Sequence, residues 1–190
     1  MPINYKFTSS NKNQMLQIES AIEKRKVHFR AFLTDLSQNF ASTWNTEDVY
    51  GRLDPIATFA STKRTISLAW DVPAEDEARA KENLEKCNTL TQMVYPTYFD
   101  TKEKGFKVIG KNPLVKVKFG NLVCDSKGKP LLGWIDAISW KPALDMGMFN
   151  NSPGKFYPKV ISLSFNLNVL HQEDVGQTSS STAKFPFNIN

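Results

Sequence analysis

The chain has 190 residues, of which 41% are hydrophobic and 23% charged, with 13 Phe, 5 Tyr and 4 Trp. That is ample material for one ordinary core, and it excludes both global disorder and two full domains. The net charge of +5 falls wholly in the second half, where every basic residue is Lys. All five arginines (Arg25, Arg30, Arg52, Arg64, Arg79) precede it.

No apolar run approaches the ~20 residues of a membrane-spanning helix, and Met1 to Lys6 has no apolar signal core. The expectation is a soluble chain, neither secreted nor inserted in a membrane. Two cysteines, Cys87 and Cys124, make neither a disulfide framework nor a zinc cluster and read as small buried groups in a reducing compartment.

Residues 1–20 read as an N-terminal arm, in which Ile3, Tyr5 and Phe7 alternate ahead of a polar stretch. A β domain follows over 21–176. Its first strand is expected at Val27 to Leu33, where apolar residues occupy the odd positions. Between Trp44 and Asp71, Gly51 and Asp54-Pro55 turn the chain between extended pieces. Arg52 and Arg64 are placed to fork onto Asp54 or onto a neighbour's carboxylate, the alternative being an internally paired corner. Thr65 to Val72 alternates with the even positions apolar.

A helix is expected over about 73–95, with Pro73 at its first position and Glu75, Asp76 and Glu77 in its first turn. Its apolar stripe would be Ala80, Leu84, Cys87, Thr91 and Val94, and Pro96 would end it. Leu114 to Cys124 and Leu131 to Trp140 form a hairpin about the turn residues 125–130. The loop 142–158 carries Met146, Met148 and Phe149 and suits an interaction surface. Ile161 to Val169 alternates five apolar residues with Ser162, Ser164, Asn166 and Asn168, giving an uncharged polar face. Residues 177–190 read as a flexible Ser/Thr linker and C-terminal arm, with Phe185, Phe187 and Ile189 alternating around Pro186. The fold class is therefore mainly β (α+β), an antiparallel β-sandwich or barrel with one amphipathic helix packed on it.

Catalytic chemistry finds no support. His28 and His171 stand without a nucleophile motif or metal spacing, and the acidic pairs Glu47-Asp48 and Glu173-Asp174 are adjacent and point apart. Gly110-Lys111 and Gly128-Lys129 lack the rest of a phosphate loop and read as turns. No cofactor or metal is expected. Lys102, Lys104, Lys107, Lys111, Lys116 and Lys118 surround Phe106 and Phe119, so a monomeric β-barrel that binds nucleic acid through residues 102–119 is the alternative reading.

One set of motifs resembles a known group. Trp44, Val49-Tyr50-Gly51-Arg52, Asp54-Pro55-Ile56, Thr62, Arg64-Thr65-Ile66-Ser67-Leu68, Gln92-Met93-Val94-Tyr95-Pro96 and Leu132-Gly133-Trp134-Ile135-Asp136 together are similar to the tail-tube-like baseplate proteins of contractile tailed bacteriophages, which start the tail tube on the central hub. The resemblance covers about residues 27–170. It implies a tail-tube fold and a structural virion protein, assembled in the host cytoplasm, that forms a ring, usually of six, lining the DNA channel. Its partners would be further copies of itself, neighbouring tail-tube and baseplate-hub proteins, and passing DNA held without sequence specificity. The subunit interface would draw on Tyr50, Arg52, Asp54, Arg64, Met146, Met148, Phe149, Phe185, Phe187 and Ile189. On this reading Arg52 and Arg64 serve assembly more than folding, and the C-terminal arm docks on a neighbour. The group's expected acidic lumen agrees with the +5 balance only if the lysines face outward.

Overall fold

Hydrophobic alternation over Ile66 to Val72 and Ile161 to Val169 dictates strands with one buried face, and the computed structural model contains them. It describes residues 15–23, 25–30, 32–100, 107–150, 153–173 and 175. The strands are β1 (Leu16–Ser20), β2 (Lys26–Phe29), β3 (Phe32–Glu47), β4 (Ile56–Pro73), β5 (Thr97–Asp100), β6 (Lys107–Lys111), β7 (Val115–Phe119), β8 (Leu131–Pro142), β9 (Met148–Phe149), β10 (Tyr157–Pro158) and β11 (Val160–Leu170), with helix α1 (Glu77–Gln92) between β4 and β5. The mainly β, α+β class is as expected from the sequence. Seven strands form one sheet in the order β2-β1-β7-β8-β11-β4-β3, and β5-β6 and β9-β10 are separate two-stranded ribbons. Every paired strand is antiparallel.

The large sheet is rolled over itself. Flat, its two edge strands β2 and β3 would stand roughly 29 Å apart at the usual inter-strand spacing. Yet only Arg30 and Ala31 join Phe29 to Phe32, and three Cα steps span at most about 11 Å. Consistently, the Phe29 ring on β2 lies 5.7 Å from the Trp70 ring on β4. The bend is helped by a bulge in β8, where the register with β11 skips Asp136. The result is two layers enclosing one core, with no ladder joining β2 to β3 among the described residues. Trp70 is at its centre, fully buried and edge-on to Phe165 at 5.3 Å.

The expected single strand Val27 to Leu33 is instead the end of β2 and the start of β3, on opposite edges of the sheet. In the sequence the alternation carries on across the break, which is why the two strands read as one. The helix is shorter than expected. Pro73 ends β4 opposite Val160, and Asp76 is the cap, its carboxylate accepting from the Arg79 amide at 2.6 Å. The buried stripe is Ala80, Asn83, Cys87 and Leu90, with Leu84 and Val94 partly buried beside it. Asn83 earns its buried place by donating to the Pro73 carbonyl at 3.2 Å.

Gly110-Lys111, expected as a turn, closes strand β6. Gly128-Lys129 is a turn, with Gly128 at φ 75° and the Asp125 carboxylate accepting from the Lys127 and Lys129 amides. Gly133 is required by close approach. A Cβ there would stand 2.2 Å from the Asn168 carbonyl oxygen of the paired strand. Both cysteines are buried, and burial pushes the Cys87 thiol up to about 11. Residues 1–14 and 176–190, and with them most of the N-terminal arm and Phe185, Phe187 and Ile189, lie outside the described residues.

Candidate assembly interface

Half of the β3-β4 hairpin has a core to pack on and half does not. The alternation that buries Ile66, Leu68, Trp70 and Val72 ends at Arg64, and residues 41–60 are exposed on both strands. What holds this part together is the ladder itself, with Trp44 and Phe59 stacked edge-on at 5.4 Å across it. The tip is residues 48–55. Gly51 takes φ 84°, the Arg52 amide donates to the Val49 carbonyl at 3.1 Å, and Tyr50, Arg52, Leu53 and Asp54 are exposed.

Tyr50, Arg52 and Asp54 thus come together at the tip. Met146, Met148 and Phe149 are at the other end of β4, separated by roughly 55 Å of strand at ~3.3 Å per residue. There, a 3₁₀ turn at Leu144–Met146 leads into β9, and Leu144, Met146 and Phe156 are each more than half exposed. Lys159 Nζ lies 5.5 Å from the centre of the Phe149 ring.

Arg64 is internal. It is 1% exposed, and its Nε and Nη2 donate to Gln38 Oε1 at 3.1 and 2.6 Å. Its guanidinium carbon lies 5.4 Å from the centre of the Phe40 ring. Burial lowers its pKa, partly offset by the nearby Cys124. Gln38 in turn donates to the Leu122 carbonyl at 3.1 Å, tying the hairpin's base to the opposite layer.

Arg64, Asp125, His171 and Glu173 line one small cleft. Burial, then the Arg64 charge, hold the His171 imidazole below its ordinary 6.5. The unfolded chain therefore binds a proton near pH 6.5 that the folded chain resists. This contribution to stability is complete above pH 6.5 and is lost as pH falls toward the depressed folded value. Urea midpoints measured from pH 7.5 to 5.5 should fall, and His171→Gln should flatten that part of the profile. The carboxylate of Glu173, held low by its bonds to Lys127 and Ser126, acts in a more acidic window.

The outer face of β8, β11, β4 and β3 is rich in Ser, Thr and Asn, with Asp35, Lys63, Asp71 and Lys141 among its charges. Cross-strand rows run Asn39, Thr65, Asn168, Trp134; then Ser37, Ser67, Asn166, Ala137; then Asp35, Ala69, Ser164, Ser139. Asp71 and Lys141 flank Ser162 in the next row. Asp136 accepts from Trp134 Nε1 at 2.8 Å and from the Asn168 amide. Lys116 and Lys118 are on β7, in the other layer, where Lys116 pairs across from Glu19 and Lys118 Nζ donates to the Gly128 carbonyl at 2.6 Å. Lys102, Lys104 and Phe106 lie outside the described residues.

This four-stranded face has two open edges. β3 is an end strand of the sheet, and β8 pairs with β7 only from Leu131 to Gly133, so residues 134–142 of β8 have no second partner strand among the described residues. The two edges run in opposite senses, because three antiparallel pairings separate them. Half-exposed Trp140 and Trp134 belong to the β8 edge. Sequence reasoning did not place them there, and only their position beyond the short β7 could have signalled it. Among the described residues no cluster of His, Cys, Asp or Glu could hold a metal ion, and no helix is long and apolar enough to cross a membrane.

No family model matches the chain, and no curated protein matches it. Among solved structures it is similar to a chain in the C6-symmetric tail of an empty GTA particle, with a TM-score of 0.37 and 8% identity over 86% of this chain and 96% of that one. It is also similar to a chain of the 6-fold symmetrised baseplate of the anti-feeding prophage, with a TM-score of 0.32 and 7% identity over 83% of this chain and 88% of that one. Likenesses this distant decide neither fold nor function.

Proposed function

We propose that the chain is a structural virion protein, one subunit of a sixfold ring at the junction of baseplate hub and tail tube that starts the tube and lines the DNA channel. The observation that carries this reading is the pair of open edges on the β8-β11-β4-β3 face. A β3 edge laid against the 134–142 edge of the next copy continues the antiparallel order, and such a head-to-tail contact closes into a ring when its rotation allows. Six copies would give a barrel of about 24 strands, which at ~4.8 Å spacing and ~40° tilt is roughly 48 Å across its backbone. The Ser, Thr and Asn rows would face the bore and offer a moving polyanion few cations to bind. Lys116 and Lys118 would face away from it. The resemblance of the sequence motifs to tube-initiating baseplate proteins points the same way.

The tip and the Met loop, at opposite ends of β4, suit contacts with the rings or hub proteins above and below. Replacing Tyr50 and Arg52 together by Ala should weaken such association by ~2–5 kcal/mol where those side chains become buried. The unfolding midpoint of the isolated subunit should not move, since both are exposed at the tip. Sedimentation of wild type and variant with neighbouring tail proteins tests this, and unchanged association would remove the tip from the interface.

A further inference from the structure

The core-side face of the β3-β4 hairpin continues past the point where the opposite layer ends. Gln38, Phe40, Ser42 and Trp44 share that face by strand period, and Arg64, Thr62 and Phe59 share it by register. The opposite layer reaches the hairpin at Leu122, through Gln38. Beyond it Trp44 and Phe59 are each 53% exposed although they stack on each other. An aromatic pair on the core side of a sheet, half in water, is a surface with something to bury.

The β4 strand is open at the same place. β11 accompanies it only from Pro73 to Thr65, so the edge from Ile56 to Arg64 on the side away from β3 has no partner strand among the described residues. The chain then leaves this point: Val175 lines the small cleft beside Arg64. Residues 176–190 follow, with apolar side chains at alternate positions 185, 187 and 189. A segment running onward in the sense of β11 is antiparallel to β4. Ten residues from Val175 span up to ~33 Å, and Phe59 is only ~17 Å along the strand from Arg64. Pro186 cannot donate a ladder bond, which suits an outermost strand.

We propose that the chain's own residues 183–190 add as a strand to the free Ile56 to Arg64 edge of β4, in the lane that β11 leaves, setting Phe185, Phe187 and Ile189 beside Phe59 and Trp44. This seat is within one subunit, in place of the neighbour that the sequence reading expects for the C-terminal arm, and it stands whether or not the subunit forms a ring. It covers the hairpin's aromatic face and lengthens the four-stranded layer toward the tip.

Amide hydrogen exchange on the full chain, at concentrations where it is monomeric, tests this. Amides of 56–64 that point to the open edge should be protected, and deletion of residues 183–190 should speed their exchange at least tenfold. Phe187→Asp should do the same without shortening the chain. Amides of β11 should be unchanged in both, which reports that the core remains folded. Equal exchange with and without the segment would overturn the proposal. So would loss of protection on deleting residues 1–14 instead, which makes the N-terminal arm the occupant, or protection that appears only as concentration rises, which makes the occupant a second copy.

Discussion

Trp70→Ala is expected to cost about 3–5 kcal/mol of subunit stability, the range for emptying a large aromatic site in a packed core. Trp70 is fully buried and is the residue on which the two layers of the rolled sheet meet, touching Phe29 from one edge strand and Phe165 from its neighbour. Truncation therefore removes contacts to both layers at once, and neither can close the gap without unrolling the sheet. Trp70→Phe should cost far less, about 1–2 kcal/mol. It keeps most of the ring contacts, and the indole Nε1 it removes is a buried donor without a hydrogen-bond partner among the described residues. Urea unfolding of the two variants measures the difference. Similar losses for both would mean that the indole, rather than its bulk, holds the layers together.

Arg64→Ala should lower the stability of the isolated subunit by about 2–4 kcal/mol, since it breaks two charge-assisted hydrogen bonds and removes a buried stem. Gln38, which those bonds orient, also donates to Leu122, so the loss spreads to the junction between hairpin and opposite layer. Arg64→Lys should recover only part of it, because one ammonium cannot reproduce the fork. Arg64→Met fills the space without bringing a charge inside and should cost less than Ala. A subunit that unfolds at the wild-type midpoint with Ala at 64, yet fails to assemble, would instead place this arginine at a subunit boundary.

How far the sequence could be read follows where burial imposes a period. Strand β11 is legible to within a residue because five core residues alternate with Ser and Asn, and the helix is legible in place if not in its first turn. Its cap is not legible because Pro73 has two roles open to it, and only the pairing with Val160 shows that it ends a strand. The outer half of the hairpin reads only as extended pieces around Gly51, since strands exposed on both faces have no reason to alternate. Arg64 carried a signal that charge obscured: it shares the even parity of Ile66, Leu68, Trp70 and Val72, all buried. The rolling of the sheet is not legible at all. Alternation runs unbroken through Arg30 and Ala31 while the chain changes layers. Of the residues expected at an interface, Tyr50, Arg52 and Asp54 converge at one tip, the Met loop is at the far end, and Arg64 is inside.

If open, opposed strand edges close this chain into the proposed sixfold ring, native mass spectrometry and particle imaging will see it. The purified protein, alone and mixed with neighbouring tail proteins, should give a mass of six subunits and a sixfold ring whose bore carries the Ser and Asn rows of β11 and β4. A chain that stays monomeric at high concentration and beside those proteins, binding DNA with an affinity that falls steeply with salt, would contradict it.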